Sequence, residues 1–368
     1  MVIRKWGGMM RKRIVRLLLW LGIALMICVP GSLAKSYGTK ILFIQSTDRG
    51  KSLYISDADG SHLYEIHSAK ELKVYLEKGH LLFTAGNQVY EYDWKNKQKK
   101  RWAVFEEPAI YLSFMPDELD QALVVGVSPL QTNYYVLDFT DGNVRRIPPG
   151  SWSEDSGYVS KITVPSGDQV RSATVKRVSL GRFELVIREG KEERWVLPRS
   201  MTLLPEAPLW SPDSLKLAFF AKSWNEPSGF YSLYVLDCSQ DKPNLELVHE
   251  EVFPRYFFNR PDSGGFIPDW DASSNYLYFS TLPYGGPSQS NVMRYDLKNH
   301  RSTVLFHHPS ENYYPKIDPS GTELLFLSNR EGDRFQLYRI KAPWTEAVRV
   351  SPPEGFTEWA RWYSPPEG

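Results

Sequence analysis

The stretch Leu233-Tyr234-Val235-Leu236-Asp237 reads aliphatic, aromatic, two further residues, then acid, and the chain contains seven versions of it. The second position is residue 54 in the first version and residue 338 in the last, so the average step is about 47 residues. A repeat of this length with strand-forming residues is typical of four-stranded β-propeller blades. The seven versions occupy residues 53–57, 89–93, 134–138, 185–189, 233–237, 292–296 and 337–341.

The repeated phrase is the third of four apolar segments in each group, and the fifth group shows this order most clearly. There, Pro208-Leu209-Trp210 leads into a turn at 211–214, and strands are predicted at 215–220, 233–236 and 245–248. Ser, Pro and Asp in the turn favour type I geometry. The sequence therefore predicts seven four-stranded blades, with six or eight left open because groups two and four are irregular.

The two ends of the chain together make one complete group. Residues 360–368 supply a first strand with its turn, whereas the segment after the N-terminal leader begins with a second strand at 40–44. A ring closed by strands from both ends has no exposed sheet edge. We therefore expect a single all-β propeller over residues 35–368, closed where the C-terminal strand joins the N-terminal blade.

Several turn motifs resemble those of a known family. The clearest are Trp210-Ser211-Pro212-Asp213, Asp57-Ala58-Asp59-Gly60, and residues 318–321 followed by 324–332. They resemble the repeats of TolB-like propellers, and a similar repeat style occurs in the propellers of dipeptidyl peptidase and prolyl oligopeptidase relatives. The resemblance covers most of residues 38–368, is clear in groups 1, 5, 6 and 7, and implies the propeller fold.

The first 34 residues have the features of an export signal. Six basic residues and no acidic residue accompany an apolar run at 17–29, which Pro30-Gly31 ends. This run fits a signal-peptide core and is shorter than the roughly 20 residues of a membrane span. Ser32-Leu33-Ala34 then places small residues where a signal peptidase reads. We expect a signal peptide over 1–34, with an uncleaved N-terminal membrane anchor as the alternative, and a periplasmic or extracellular location.

Removing the leader changes the charge of the chain. The 44 basic residues fall to 38, against 43 acidic residues, so the remainder carries a net charge of −5 with histidine neutral. Proteins that bind nucleic acid or anionic membranes are usually basic. We therefore expect no nucleic-acid partner, and membrane contact only through an uncleaved leader. Cys238 is the one cysteine outside the leader, so we expect a core thiol and no intrachain disulfide.

Candidate contact residues cluster in the longer loops. Loops between second and third strands, and loops between blades, share one face of a propeller, and here they are rich in aromatic residues and arginine. Such side chains suit a protein, peptide or sugar partner. Packing between blades, or simple solvation, is the alternative for each of them. The candidates for partner contacts are Trp224, Arg255, Tyr256, Tyr284, Glu311, Tyr314, Arg330 and Glu358.

The sequence offers little support for catalysis. It contains no Gly-x-Ser-x-Gly motif, so we expect no serine hydrolase chemistry of the α/β-hydrolase type. Some propellers of this style resemble oligogalacturonate lyases, which use histidines around a central metal, but the histidines here are predicted at hairpin turns and outer strands. We therefore predict no cofactor and no metal site. The leading hypothesis is a non-enzymatic propeller that binds a protein or peptide, and the alternative is a lyase, glycosidase or sugar-binding protein using the same face.

Overall fold

The computed structural model describes residues 38–365 except 78–79, 95, 115–120, 128–131, 148–160, 180–181, 205–206, 226–229, 255–267, 282–289 and 307. Thr39–Tyr363 form one compact unit. Its described residues form 29 β-strands in seven antiparallel sheets. These sheets are the blades of a seven-bladed β-propeller, so the predicted fold class and blade number are confirmed.

The strands follow one another in a regular order. In chain order they are β1 (Lys40–Thr47), β2 (Gly50–Asp57), β3 (Tyr64–Ala69), β4 (Leu72–Glu77), β5 (His80–Ala85), β6 (Gln88–Asp93), β7 (Gln98–Val104), β8 (Ala109–Phe114), β9 (Gln121–Val127), β10 (Thr132–Asp138), β11 (Val144–Ile147), β12 (Lys161–Pro165), β13 (Arg171–Ser179), β14 (Arg182–Glu189), β15 (Glu192–Val196), β16 (Met201–Leu203), β17 (Leu209–Trp210), β18 (Lys216–Ser223), β19 (Phe230–Asp237), β20 (Asn244–Pro254), β21 (Asp269–Trp270), β22 (Tyr276–Thr281), β23 (Asn291–Asp296), β24 (Arg301–Phe306), β25 (Asn312–Ile317), β26 (Glu323–Ser328), β27 (Gln336–Lys341), β28 (Ala347–Arg349) and β29 (Phe356–Tyr363).

Blade 1 consists of β29, β1, β2 and β3, and blades 2 to 7 follow along the chain as β4–β7, β8–β11, β12–β15, β16–β20, β21–β24 and β25–β28. All seven versions of the repeated phrase lie on the third strand of a blade, as predicted. The first strand is the terminal strand of its sheet and borders the central channel of the ring.

The ring closes through β29, which pairs antiparallel with β1. The predicted closure is therefore confirmed, although the strand begins at Phe356 rather than at residue 360. The earlier start has a local reason, because Phe356 and Thr357 pair with Ser46 and Gln45 of β1, and the Thr357 hydroxyl donates to Gln45 Oε1 at 2.8 Å.

Blade 5 has a first strand in two pieces. The predicted piece, β17, pairs with β18, and β16 at Met201–Leu203 pairs with the other end of the same strand. The sequence analysis did not identify β16, because three residues are too few to show the alternation of apolar and polar residues that marks a strand.

The core lies between neighbouring blades rather than inside any one of them. On β18, Leu217, Phe219 and Ala221 pack toward blade 4, whereas Ala218 and Phe220 pack toward blade 6. Because successive side chains of a strand point to opposite faces of the sheet, a strand buried on both faces needs a continuous apolar run. This requirement explains the apolar runs in second strands such as β1 and β26.

The acidic residue that ends most of the repeated phrases shapes the following hairpin. Asp138 accepts a backbone hydrogen bond from Thr140 at 2.8 Å, Asp237 from Ser239 at 2.8 Å, and Asp296 from Lys298 at 3.0 Å. Such side-chain turns satisfy backbone N–H groups where the strand ladder stops. The repeated acid is therefore a turn residue in these blades.

The leader predicted over residues 1–34 lies outside the described residues and stays a prediction. In the part of the chain that the structure describes, no helix has the length and apolar character needed to cross a membrane.

Candidate functional site

Strand direction sorts the connections onto two faces. The ends of second and fourth strands and the starts of first and third strands lie at the same end of every antiparallel blade. We call this end the loop face; it includes Trp224 after β18 and Arg330 after β26. The opposite end, the hairpin face, includes Val170 in the turn between β12 and β13.

Five of the eight predicted contact residues are described. Arg255, Tyr256 and Tyr284 lie outside the described residues and stay predictions. The described five are Trp224, Glu311, Tyr314, Arg330 and Glu358.

Trp224 is the most exposed tryptophan of the loop face in the described chain, with 41% of its surface accessible. Its backbone N–H donates to Ser200 O at 2.7 Å, and the Arg182 guanidinium lies 5.7 Å from its ring centroid. Arg182 itself donates from Nη2 to Arg199 O at 2.9 Å. Val178, the unpaired residue at the bulge between the Arg177–Phe183 and Ser179–Arg182 pairs of the β13–β14 ladder, is also exposed. We call Val178, Arg182, Arg199 and Trp224 the Trp224 patch; it spans blades 4 and 5.

Arg330 is held by aromatic rings. Its guanidinium carbon lies 4.6 Å from the ring centroid of Tyr338, 5.1 Å from that of Phe326 and 5.5 Å from that of Phe306. Burial lowers the pKa of Arg330 from its usual value. The side chain therefore covers the seam between blades 6 and 7, and a partner could reach only its remaining half-buried edge.

The two glutamates already have partners inside the propeller. Glu358 accepts hydrogen bonds from the Ser46 hydroxyl at 2.6 Å and from Lys51 Nζ at 2.8 Å. Glu311 is half-buried, and its backbone N–H donates to Asn329 Oδ1 at 2.9 Å. A partner that used the Glu358 carboxylate would have to share it with Ser46 and Lys51, whereas the bond to Asn329 orders the backbone of Glu311 at the start of β25.

Tyr314 differs from the other candidates because only 6% of its surface is exposed. It has a positive φ of 60° and sits at an irregularity between Tyr313 and Lys316 in the β25–β26 ladder. A bulky residue seldom adopts this backbone conformation, and bulges of this kind often re-aim side chains near functional sites. The irregularity places Lys316 Nζ 4.7 Å from the Tyr314 ring centroid.

Lys316 belongs to a charged level of the central channel. By strand pairing, Leu209 of blade 5, Asp269 of blade 6, Lys316 of blade 7 and Arg361 of blade 1 occupy the same position, opposite Ala218, Tyr278, Leu325 and Leu42 of their second strands. We call Asp269, Lys316 and Arg361 the charged arc. Lys316 Nζ lies 3.9 Å from Asp269 Oδ1 and 3.4 Å from Pro268 O.

Burial shifts the pKa values of Lys316, Asp269 and the adjacent Tyr314. The Lys316 side chain is 4% exposed, and this burial lowers its pKa to about 8, against the opposing influence of the Asp269 carboxylate. Burial likewise raises the pKa of Asp269, and it raises that of Tyr314 to about 12. The positive charge of Arg361 tends to lower the pKa values of all three groups. Mixed charges in a channel with shifted pKa values are a frequent feature of functional sites.

The sequence analysis found Tyr314 but missed the charged arc. A readable signal exists, because this repeat position is Val164 in blade 4 and Leu209 in blade 5 but becomes charged in the next three blades. This change from apolar to charged residues is visible only when the first strands of the blades are aligned with one another. The bulge in β25 shifts that alignment within blade 7.

The described histidines sit at hairpins and outer strands. His62 and His300 contact Asp57 and Glu246 through Nδ1, and His67 packs against Phe83. In the described part of the chain, no three His, Cys, Asp or Glu side chains are close enough together to hold a metal ion. Cys238 is a buried free thiol, as the sequence predicts, and burial raises its pKa to about 11.

Structural comparison identifies propellers whose names indicate different roles. An oligogalacturonate lyase in complex with manganese matches with a TM-score of 0.54 and 12% identity over 82% of this chain and 85% of the lyase. A puromycin-hydrolyzing peptidase from Mycobacterium tuberculosis matches with a TM-score of 0.52 and 11% identity over 88% of this chain and 54% of the peptidase. TolB from Acinetobacter baumannii matches with a TM-score of 0.46 and 12% identity over 89% of this chain and 67% of TolB.

These identities show a shared fold. The propeller fold that the resemblance of the turn motifs implies is confirmed at that level. This chain spans about half the length of the matched peptidase. No protein-family model and no curated protein sequence matches the chain.

Proposed function

We propose that this protein is an exported, non-enzymatic propeller that binds a protein or peptide partner through its loop face. The observation that carries the proposal is the Trp224 patch, where a backbone hydrogen bond orders residue 224 and a guanidinium flanks the exposed tryptophan ring. Tryptophan and arginine are the residues most enriched among the energetic centres of protein interfaces.

The patch is suited to binding because it is ordered before a partner arrives. The Trp224 N–H bond to Ser200 joins the end of β18 to the β15–β16 connection, and the Arg182 bond to Arg199 joins the start of β14 to the same connection. Phe183 N–H also donates to the Thr202 hydroxyl at 3.1 Å, which ties blade 4 to blade 5 beneath the patch. A loop that is already ordered loses less conformational entropy on association.

Export is supported by the sequence of residues 1–34, with its basic start, apolar core and small residues before position 35. The proposed location is the periplasm or the extracellular space. The mass of the protein recovered from its native host tests this part, since cleavage after Ala34 leaves a chain beginning at Lys35. A full-length membrane-bound chain would support the anchor alternative.

The partner is best sought by crosslinking from the patch. A photo-crosslinking amino acid at position 224 should capture the partner, whereas the same residue at position 170 should not. Val170 is a matched control because it is 48% exposed and lies in the same pair of blades on the hairpin face. A crosslinked oligosaccharide, or an oligosaccharide shortened by the protein, would instead support the carbohydrate alternative.

Affinity measurements with the captured partner then test the assignment. We expect Trp224→Ala to weaken binding by at least about 30-fold, because truncating an interface centre costs about 2 kcal/mol or more. Val170→Ala should leave the affinity within about twofold. Equal affinities of Trp224→Ala and the unmodified protein would show that the loop-face assignment is wrong.

A further inference from the structure

The charged arc is unusual for its repeat position. Blades 4 and 5 place Val164 and Leu209 there, whereas the next three blades in the ring place Asp269, Lys316 and Arg361. Equivalent positions of consecutive blades lie side by side around the channel, at one height along its axis. Three charges therefore face one short stretch of the channel wall.

From this arrangement we propose that the charged arc binds the carboxylate group of a small ligand inside the central channel. The inference is independent of the loop-face proposal, since it uses no residue of the Trp224 patch.

Charge is the first argument for a carboxylate. The arc contains two cations and one anion, so it has an excess of one positive charge. Lys316 and Asp269 are 3.9 Å apart, and Arg361 on the neighbouring strand remains exposed. One monoanionic group beside Arg361 and Lys316 would neutralise this excess. The planar guanidinium of arginine matches a carboxylate through two parallel hydrogen bonds.

Local geometry is the second argument. Tyr314 holds a left-handed backbone conformation directly before Pro315, and its ring lies beneath Lys316 Nζ. Backbone strain of this kind persists where the surrounding structure imposes it, and it concentrates at binding and active sites. Here it fixes the ammonium over an aromatic face, which favours the charged form of lysine. The strained residue thus orients a cation toward the channel level that Arg361 shares.

The proposed site also predicts how binding depends on pH. The titratable and charged groups around Lys316 are Asp269 on β21, Tyr314 on β25 and Arg361 on β29. Lys316, with a pKa of about 8, loses its proton as the pH rises through that value, while Tyr314, with a pKa of about 12, stays neutral. Carboxylate affinity should therefore fall as the pH rises past that value.

Acetate, compared with acetamide, is the probe that tests the proposal. The two molecules have nearly the same shape and differ in charge, so a charge-dependent site separates them at constant ionic strength. With the purified full chain we expect acetate to raise the melting temperature saturably and to give a binding isotherm by calorimetry. Acetamide should give neither signal.

Two variants and one control locate the effect. Arg361→Gln should weaken acetate binding by at least about tenfold, the usual scale for losing a charge-assisted pair. Lys298→Gln, on an exposed hairpin, removes the same charge elsewhere and should bind like the unmodified protein. Lys316→Met should also lose binding, and if that variant fails to fold, Arg361→Gln carries the test because its side chain is exposed.

Three outcomes would overturn the proposal: an unmodified protein that does not distinguish acetate from acetamide, an Arg361→Gln variant that binds acetate as well as the unmodified protein, or a response to inorganic phosphate without one to acetate. The last result would identify an anion site of different chemistry. Loss of acetate binding with partner binding intact would separate this site from the loop face.

Discussion

Two groups of blades differ in the polar contacts that hold their strands in place. Blades 5, 6 and 1 form one group, and blade 3 represents the other. In the first group an indole on the first strand donates to a backbone carbonyl of the preceding blade: Trp210 to Val164 O, Trp270 to Leu209 O and Trp362 to Lys316 O, at 3.0, 3.1 and 2.8 Å. In blade 3 a buried carboxylate, Glu107, accepts from Asn133 and Tyr135 within the blade.

The difference explains which parts of the sequence look repetitive. A bond to a backbone carbonyl requires only the donor, so the same tryptophan can recur while its partner varies. Side-chain pairs such as Glu107 with Tyr135 require two matched residues, and any compatible pair will serve. Regular blades are therefore recognisable by motif, whereas the others are recognisable only by the alternation of apolar residues.

The seam between β1 and β29, in blade 1, should give the largest loss of stability when it is disrupted. Gly355 has a φ of 77°, and a Cβ there would lie 1.9 Å from Ser46 O. We expect Gly355→Ala to lower the free energy of unfolding by more than about 4 kcal/mol, since the closing strand must move. Urea-induced unfolding measures this loss.

Gly321 provides the matched control because its φ is 74° and no atom lies within 4 Å of the Cβ that alanine would add. Gly321→Ala should cost only the left-handed conformation, about 1–2 kcal/mol. Similar losses for the two variants would mean that ring closure does not depend on the close approach at Gly355.

The indole hydrogen bonds between blades should make the next largest contribution to the free energy of unfolding. Trp270 is buried between blades 5 and 6, so Trp270→Ala should cost about 3–5 kcal/mol through the cavity it leaves. Trp102 of blade 2 is half-buried and pairs with Glu91 inside its own blade, so Trp102→Ala should cost less. If both variants unfold at the same urea concentration with equal slopes, the indole contacts between blades have no special weight.

The burial of Lys316 should make the free energy of unfolding increase as the pH rises. Its pKa is about 8 in the folded protein and near 10.5 when exposed, so between these values the unfolded chain binds more protons. The free energy of unfolding therefore rises across this window, by up to about 3 kcal/mol. Lys316→Met should remove that part of the rise in urea titrations at about pH 7.5 and about pH 10. Parallel profiles of the two proteins would contradict the burial of the ammonium.

Substitution of Glu107 should have the smallest effect on the free energy of unfolding, and that effect should appear at acidic rather than alkaline pH. Hydrogen bonds from Tyr135 and Asn133 lower its pKa against the effect of burial. The stability it contributes is therefore present above its ordinary pKa and is lost as the pH falls through the lowered value. Glu107→Gln should make unfolding less sensitive to acid. A profile unchanged by this substitution, measured by urea unfolding between about pH 7 and about pH 3, would show that blade 3 does not rely on the carboxylate.

Sequence reasoning succeeded where local pattern decides structure. The seven third strands, the turn motifs and the pairing of the two chain ends all follow from alternation and turn residues. It located Trp224 on a loop face but could not show that Arg182, from another blade, flanks the ring. It also grouped Arg330 with Trp224, although the structure packs Arg330 against three rings.

The sequence by itself determined the fold class and favoured seven blades, because both depend on periodicity within each segment of about 47 residues. Only the tertiary structure decided which side chains meet across blades. Asp269, Lys316 and Arg361 are neighbours because strand register and the bulge at Tyr314 set their height in the channel. Register is a property of paired strands, and no single strand contains that information.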